Sequence, residues 1–286
     1  MTQTKPPADW PLADYSDNCH AADMDWRVTR IGTGPPLLLL HGTGASSHSW
    51  VPVALHLMDD FECIIPDLPG HGFSDPLPKR TVTLPAISRA LIVLMDTLGV
   101  APVLIAGHSA GSAIAVQMTL DSVRPPKRIF SVNGAFLPFG SVAAPLFSKA
   151  AGWLSRAQFF QLATALHGYF RRPIRKLLEE TGSVPNKDML YAYQTLLRRP
   201  QHIRGTLQMM AGWDLEPLKS ALAGLRLPID LVACLNDKTV SPWQSTRLSE
   251  LVSQSQLIEI PELGHLGHEE APELFARLIR EAFESD

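Results

Sequence analysis

The sequence predicts an α/β protein: a mostly parallel central sheet flanked by helices, interrupted by one helical insertion. Three observations carry that reading. Short apolar runs recur between helix-like segments at the spacing that builds a parallel sheet. After Phe136 the pattern turns purely helical for about eighty residues. From residue 228 the alternation of strand and helix patterns resumes to the end. With 286 residues, the chain accommodates one core plus an insertion, and the division predicted is a first core part at 1–136, a helical cap at 137–216 and a second core part at 217–286. A hydrophobic content of 45% with 19% charge is enough to build a core without metal or disulfide support.

Residues 1–15 read as a loose arm. Residues 24–31 then alternate, with Met24, Trp26 and Val28 on one face, and end at Gly32-Thr33-Gly34, where a hairpin into the next strand is expected. Apolar runs at 36–41, 63–66, 102–107 and 128–133 follow as strands. The insertion, broken by Pro173, Gly182 and Pro185, shows no strand pattern as far as Glu216. Beyond it come a strand at 228–235, a helix at 244–252, a strand at 256–260 and an amphipathic helix at 271–283. Cys19, Cys63 and Cys234 are an odd, widely spaced set, two of them inside strand-like runs, so buried thiols in a reducing cytoplasm are expected. Residues 1–10 lack the apolar segment of a secretion signal, and no run is long enough to span a bilayer.

The chemistry concentrates at Gly107-His108-Ser109-Ala110-Gly111, which a strand enters and a helix of small residues leaves. A serine on so sharp a turn needs neighbours without bulk, and its reward is an exposed hydroxyl at a helix N-terminus. A serine is a poor nucleophile unless an imidazole, itself held by a carboxylate, takes its proton. His265 follows the last strand and Asp237 ends the strand before it, so Ser109, Asp237 and His265 are the candidate triad. His268, three residues on, is the rival base, although Glu269 and Glu270 beside it read as residues that start the final helix. Asp214 is the weaker acid candidate, and Asn133, at a strand end, carries no charge. Backbone donors for an oxyanion are expected at Ala110 and at Thr43 in His41-Gly42-Thr43-Gly44. His41, Phe136, Arg171, Arg172 and Trp213 are the candidate substrate contacts. The scheme needs no cofactor, neither metal nor organic.

With these residues in place the whole chain resembles the α/β-hydrolase superfamily, including the turn Asp67-Leu68-Pro69-Gly70-His71-Gly72-Phe73-Ser74 typical of its capped branch. The α/β-hydrolase fold implies a helical cap inserted after the sixth strand. Ser109 disfavours the branches with an aspartate nucleophile. A closer resemblance lies in His41-Gly42-Thr43-Gly44-Ala45, Asn133-Gly134-Ala135-Phe136-Leu137-Pro138-Phe139, Thr181-Gly182-Ser183, Met209-Met210-Ala211-Gly212-Trp213-Asp214-Leu215 and Gly264-His265-Leu266-Gly267-His268-Glu269-Glu270. Together these are similar to the BchO family, magnesium-chelatase accessory proteins of bacteriochlorophyll biosynthesis. That resemblance implies a tetrapyrrole, or an ester of one, as the small-molecule substrate, and contact with magnesium chelatase.

Between residues 141 and 220 there are eleven Lys or Arg against five Asp or Glu, a basic island in a chain of net charge −3. Interleaved aromatics allow stacking on a flat ring while guanidinium groups meet carboxylates. The bland alternative is an aromatic cap core beneath a solvated charged face. The same basic surface could place a cytoplasmic protein on the anionic inner membrane as a peripheral contact. Nucleic acid is disfavoured by the acidic whole. Three functions follow: a serine esterase, a tetrapyrrole-binding accessory protein on a hydrolase scaffold, and a generic capped carboxylester or carbon-carbon bond hydrolase.

Overall fold

The computed structural model describes residues 5–78, 82–137 and 173–285. Its centre is an eight-stranded sheet of order β1-β2-β4-β3-β5-β6-β7-β8. The strands are β1 (Ser16–Ala21), β2 (Met24–Ile31), β3 (Pro36–Leu40), β4 (Glu62–Pro66), β5 (Leu104–His108), β6 (Arg128–Val132), β7 (Ile229–Cys234) and β8 (Ser255–Ile260). From β4 to β8 all neighbours are parallel, while β1 and β2 add an antiparallel edge. The expected mostly parallel sheet is therefore present.

The expected hairpin at Gly32-Thr33-Gly34 is not formed, because β2 pairs with β4 rather than with β3. The hairpin lies earlier, between β1 and β2, where Ala22 and Asp23 take φ of 54° and 58°. Two successive left-handed residues give a turn whose twist matches that of the strands it joins. Residues 16–21, read from the sequence outside any strand, form β1. Its middle residues are largely solvent-facing, as an edge strand with one neighbour permits.

Alternate residues of the inner strands feed two cores. Leu38 and Leu40 of β3 pack with Ile64 and Ile105 against α2 (Leu84–Leu98) and α3 (Ala110–Asp121). Leu37 and Leu39 face the other way, with Leu104 and Ala106, toward α1 (Val51–Leu57) and the final helix (Pro272–Glu284). A strand buried on both faces is expected to be apolar, which is why β3 reads as an unbroken greasy run, whereas β7 carries one buried charge, Asp230, paired with Arg128 at 3.2 Å. Cys63 and Cys234 are buried free thiols, and Cys19 is half-buried and free. Among the described residues no helix is long and apolar enough to cross a membrane.

Among the described residues six strands precede the insertion. Its described part contains α4 (Ile174–Glu179), α5 (Lys187–Leu197) and α6 (Pro200–Ala211), and α7 (Glu216–Leu222) starts where the insertion was expected to end. Asn186 caps α5 by accepting the Met189 N–H at 2.9 Å. Helix α6 seats directly on the core: a Cβ on Gly205 would strike the Gly70 carbonyl oxygen, so the two backbones touch. His202 of the same helix accepts the Gly72 N–H at 3.0 Å through Nδ1 and donates from Nε2 to the Gly44 carbonyl at 3.2 Å. These contacts bring the helices over the carboxyl ends of the parallel strands.

Candidate active site

Ser109 sits between β5 and α3 with φ 53° and ψ −116°, an energetically costly backbone for a residue with a Cβ. The surroundings hold it there. Its N–H donates to the Val132 carbonyl at 2.9 Å, and its carbonyl accepts from Ser112 and Ala135, both at 3.1 Å. Gly107 and Gly111 must lack side chains, since a Cβ on Gly107 would meet Gly111 and one on Gly111 would meet the Leu40 carbonyl oxygen. Ala110, the first residue of α3, has an N–H with no partner inside the helix.

The loops that carry the candidate base and acid meet beside it. His265 Nδ1 and Asp237 Oδ2 are 2.7 Å apart, both side chains nearly solvent-free. The other carboxylate oxygen accepts the N–H groups of Thr239 at 2.7 Å and Val240 at 2.9 Å. With both oxygens engaged in this way Asp237 holds a fixed orientation and presents an acceptor to an Nδ1–H. His265 Nε2 is then the imidazole atom left to accept a proton. Ser109, His265, Thr43 and Ala110 all line one cavity of about 340 Å³, together with His108, Tyr193 and Trp213.

His268 does not share this position. It is wholly buried with Nε2 at 2.7 Å from Ser49 Oγ, its ring centroid 4.4 Å from that of His108 at a tilt of 38°, and burial lowers its pKa to about 3. Asp214 is exposed and accepts the Glu216 N–H at 3.1 Å, which makes it a helix-start residue. Two expected substrate contacts lie off the cavity wall. His41 is buried, accepting the Leu68 N–H at 2.9 Å and donating to the Gly42 carbonyl at 2.8 Å, so both ring nitrogens shape the turn before Thr43. Phe136 is buried in the core cluster beneath. Trp213 is in the wall, while Arg171 and Arg172 lie outside the described residues.

The residues that sequence reasoning passed over are those that position the others. Asn133, at φ 48°, accepts the Cys234 N–H at 2.8 Å and donates to the carbonyls of His265 at 2.9 Å and Gly264 at 3.1 Å. It thereby ties the end of β7 to the His265 loop. His108 Nε2 donates to the same His265 carbonyl at 2.9 Å. Thr181-Gly182-Ser183, just beyond α4, staples both loops: the Thr181 carbonyl receives the N–H groups of Lys238 and His265, and Ser183 Oγ receives that of Leu266. Gly182 is required there, as a Cβ would strike the Asn236 carbonyl oxygen. Glu269, expected as a helix-start acid, is buried and accepts from Ser49 at 2.7 Å and Tyr193 at 2.8 Å, and burial raises its pKa to about 7. Among the described residues no group of three or more His, Cys, Asp or Glu is placed to hold a metal ion.

Comparison with known proteins bears on this geometry. The family model of the alpha/beta hydrolase fold matches residues 35–272. A protein named as the magnesium-chelatase 30 kDa subunit of Rhodobacter capsulatus is 36% identical over 275 residues, covering 96% of each chain. Among solved structures, a thermophilic esterase from Thermogutta terrifontis superposes with a TM-score of 0.72 at 22% identity, over 94% of this chain and 98% of its own. The meta-cleavage product hydrolase of Pseudomonas fluorescens IP01 superposes with a TM-score of 0.73 at 21% identity, over 94% and 97%.

Proposed function

Because the chain belongs to the α/β-hydrolase family, we propose that it is a serine hydrolase of esterase type, with Ser109 as nucleophile, His265 as general base and Asp237 as the carboxylate that orients it. The observation that carries this reading is the 2.7 Å contact of His265 with Asp237 beside a serine at φ 53° in the same cavity. Ser109 Oγ forms a bond to the ester carbonyl carbon while His265 Nε2 takes its proton. The oxyanion that results accepts the N–H groups of Thr43 and Ala110. When the intermediate collapses, the C–O bond to the alcohol breaks and His265 returns the proton to the leaving oxygen. Water, deprotonated by the same imidazole, then attacks the acyl-enzyme and releases the acid.

The biological setting proposed is (bacterio)chlorophyll biosynthesis at the magnesium-chelatase step, on the strength of the Rhodobacter capsulatus relative's name. The substrate would be an ester of a tetrapyrrole or of a molecule handled beside it. The same name supports a second reading, an accessory protein that binds a tetrapyrrole or contacts the chelatase without turning anything over. Labelling with a fluorophosphonate probe separates the two. A hydrolase takes one probe per chain at Ser109, and Ser109→Ala takes none; a wild-type protein that stays unlabelled while binding a porphyrin overturns the hydrolase reading.

A further inference from the structure

The cavity above Ser109 has a chemical character of its own. Among the described residues its wall holds no Lys, Arg, Asp or Glu. Ile174, Leu177, Leu178, Leu197, Met210 and Trp213, all from the insertion, form the side facing Ser109's loop. The wall does carry hydroxyls, yet most are already committed: Thr43 to Met209 Sδ at 3.6 Å, Thr181 to the Leu178 carbonyl at 2.6 Å, Thr206 to the His202 carbonyl at 2.9 Å and Tyr193 to Glu269 at 2.8 Å. A hydroxyl that has spent its proton inside the protein presents little to a ligand beyond a lone pair.

Among the described residues the cations beside the cavity point elsewhere. Arg175 is exposed and pairs with Glu179 at 3.7 Å, and Lys176, Arg198 and Arg204 are exposed as well. Arg199 lies over the Phe73 ring at 4.1 Å and donates to the Gly72 carbonyl at 3.1 Å. A carboxylate carried into the cavity would lose its water and gain no positive partner among these groups, which is prohibitive for an ionised group. A neutral carbon chain loses nothing comparable and gains the burial of each methylene.

We propose that this cavity is the site for the neutral, apolar acyl arm of the ester, and that it rejects an arm bearing a free carboxylate. The inference rests on Ser109 being the nucleophile. At roughly 30 Å³ for each water-sized group, the 340 Å³ cavity holds an arm of about ten non-hydrogen atoms. A tetrapyrrole, far larger than that, would present one esterified arm to Ser109 rather than enter whole. Hydrolysis turns the neutral ester into an anion at the same place, so the wall that admits the substrate also favours departure of the acid.

The test uses the full chain and four p-nitrophenyl esters: acetate, butyrate, octanoate, and the monoester of octanedioic acid, which matches octanoate in length but ends in a carboxylate. The expected result is a kcat/KM that climbs at least tenfold from butyrate to octanoate, burial of each methylene contributing up to about three- to fourfold. The octanedioate monoester should fall at least a hundredfold below octanoate, and Leu178→Lys should narrow that gap. In parallel, Ser109→Ala is titrated with methyl octanoate and with the octanoate anion, followed by tryptophan fluorescence with Trp213 in the wall; the neutral ester should bind at least tenfold tighter. Acetate as the best substrate, or an acidic ester as good as octanoate, overturns the inference while leaving the hydrolase reading intact. Absence of all turnover and labelling with tight methyl octanoate binding overturns the hydrolase reading and with it the acyl role, while the preference of the cavity for a neutral apolar ligand stands; equal binding of ester and anion overturns that preference.

Discussion

Acidification from about pH 7.5 to 5.5 should remove much of the protein's stability, because six histidines are buried in the neutral state. Burial is the largest cause in each case: it lowers His48 and His268 to about 3, His71 to about 4, and His41, His108 and His202 well below the ordinary value. The folded chain therefore refuses protons that the unfolded chain binds near pH 6.5. Stability from these groups is complete above about pH 7.5 and is lost as the pH falls through 6.5 toward the folded values. Between pH 7.5 and 5.5 each contributes a loss of about 1–1.5 kcal/mol, or about 6–9 kcal/mol together. Glu269 works in the opposite sense. Its carboxyl is raised to about 7 by burial, so it destabilises the fold when ionised, and acidification returns about 2 kcal/mol. The net loss of about 4–7 kcal/mol is comparable with the whole stability of an ordinary domain at the lower end of the range. Urea unfolding monitored by near-UV circular dichroism at closely spaced pH values reads this directly. Unfolding near pH 6 should take up several protons, and the melting temperature should drop by at least about 8 °C. Uptake of fewer than two protons in that window would refute the argument that these rings are held neutral.

Two substitutions test the positioning contacts. Asn133→Asp keeps the acceptor for the Cys234 N–H but turns the donor facing the Gly264 and His265 carbonyls into a second acceptor; a buried group left without its partner costs about 1–3 kcal/mol. Fluorophosphonate labelling should slow at least tenfold at pH 8 and recover partly at pH 6, where a protonated carboxyl again donates; a labelling rate unchanged at both values counts against the clasp. Gly182→Ala places a Cβ at φ 88° against the Asn236 carbonyl, at an expected loss of about 1–3 kcal/mol. Because the strain falls on the loop carrying Asp237, labelling should fall more than tenfold at a temperature where thermal melts show the variant still folded, and an alanine variant that melts and labels like wild type would separate Gly182 from the site.

How far the sequence was legible follows from how each residue acts. Ser109 is recognisable because its demand falls on covalent neighbours: a backbone at φ 53° needs Gly107 and Gly111 beside it, and those letters stand in a row. His265 and Asp237 are recognisable through strand order, since β7 and β8 deliver them at carboxyl ends. Strand β1 was hidden because an edge strand with exposed Asp17 and Asn18 has no apolar alternation to betray it. Glu269 was hidden for the opposite reason, since the same letter that favours a helix start also serves as a buried acceptor once Tyr193 arrives from 76 residues away. Asn133 and Gly182 share that property. Each was visible as a strand end or a break in a helical pattern, yet its work is done on partners 101 and 54 residues distant, Cys234 and Asn236. Local demands are written in local sequence, whereas a clasp between two loops exists only after the sheet has brought the loops together. It follows that the proposed reacting groups, Ser109, Asp237 and His265, can be named from motifs, but the groups that set their alignment, and the wall of the cavity that Ser109 and His265 line, are properties of the folded chain.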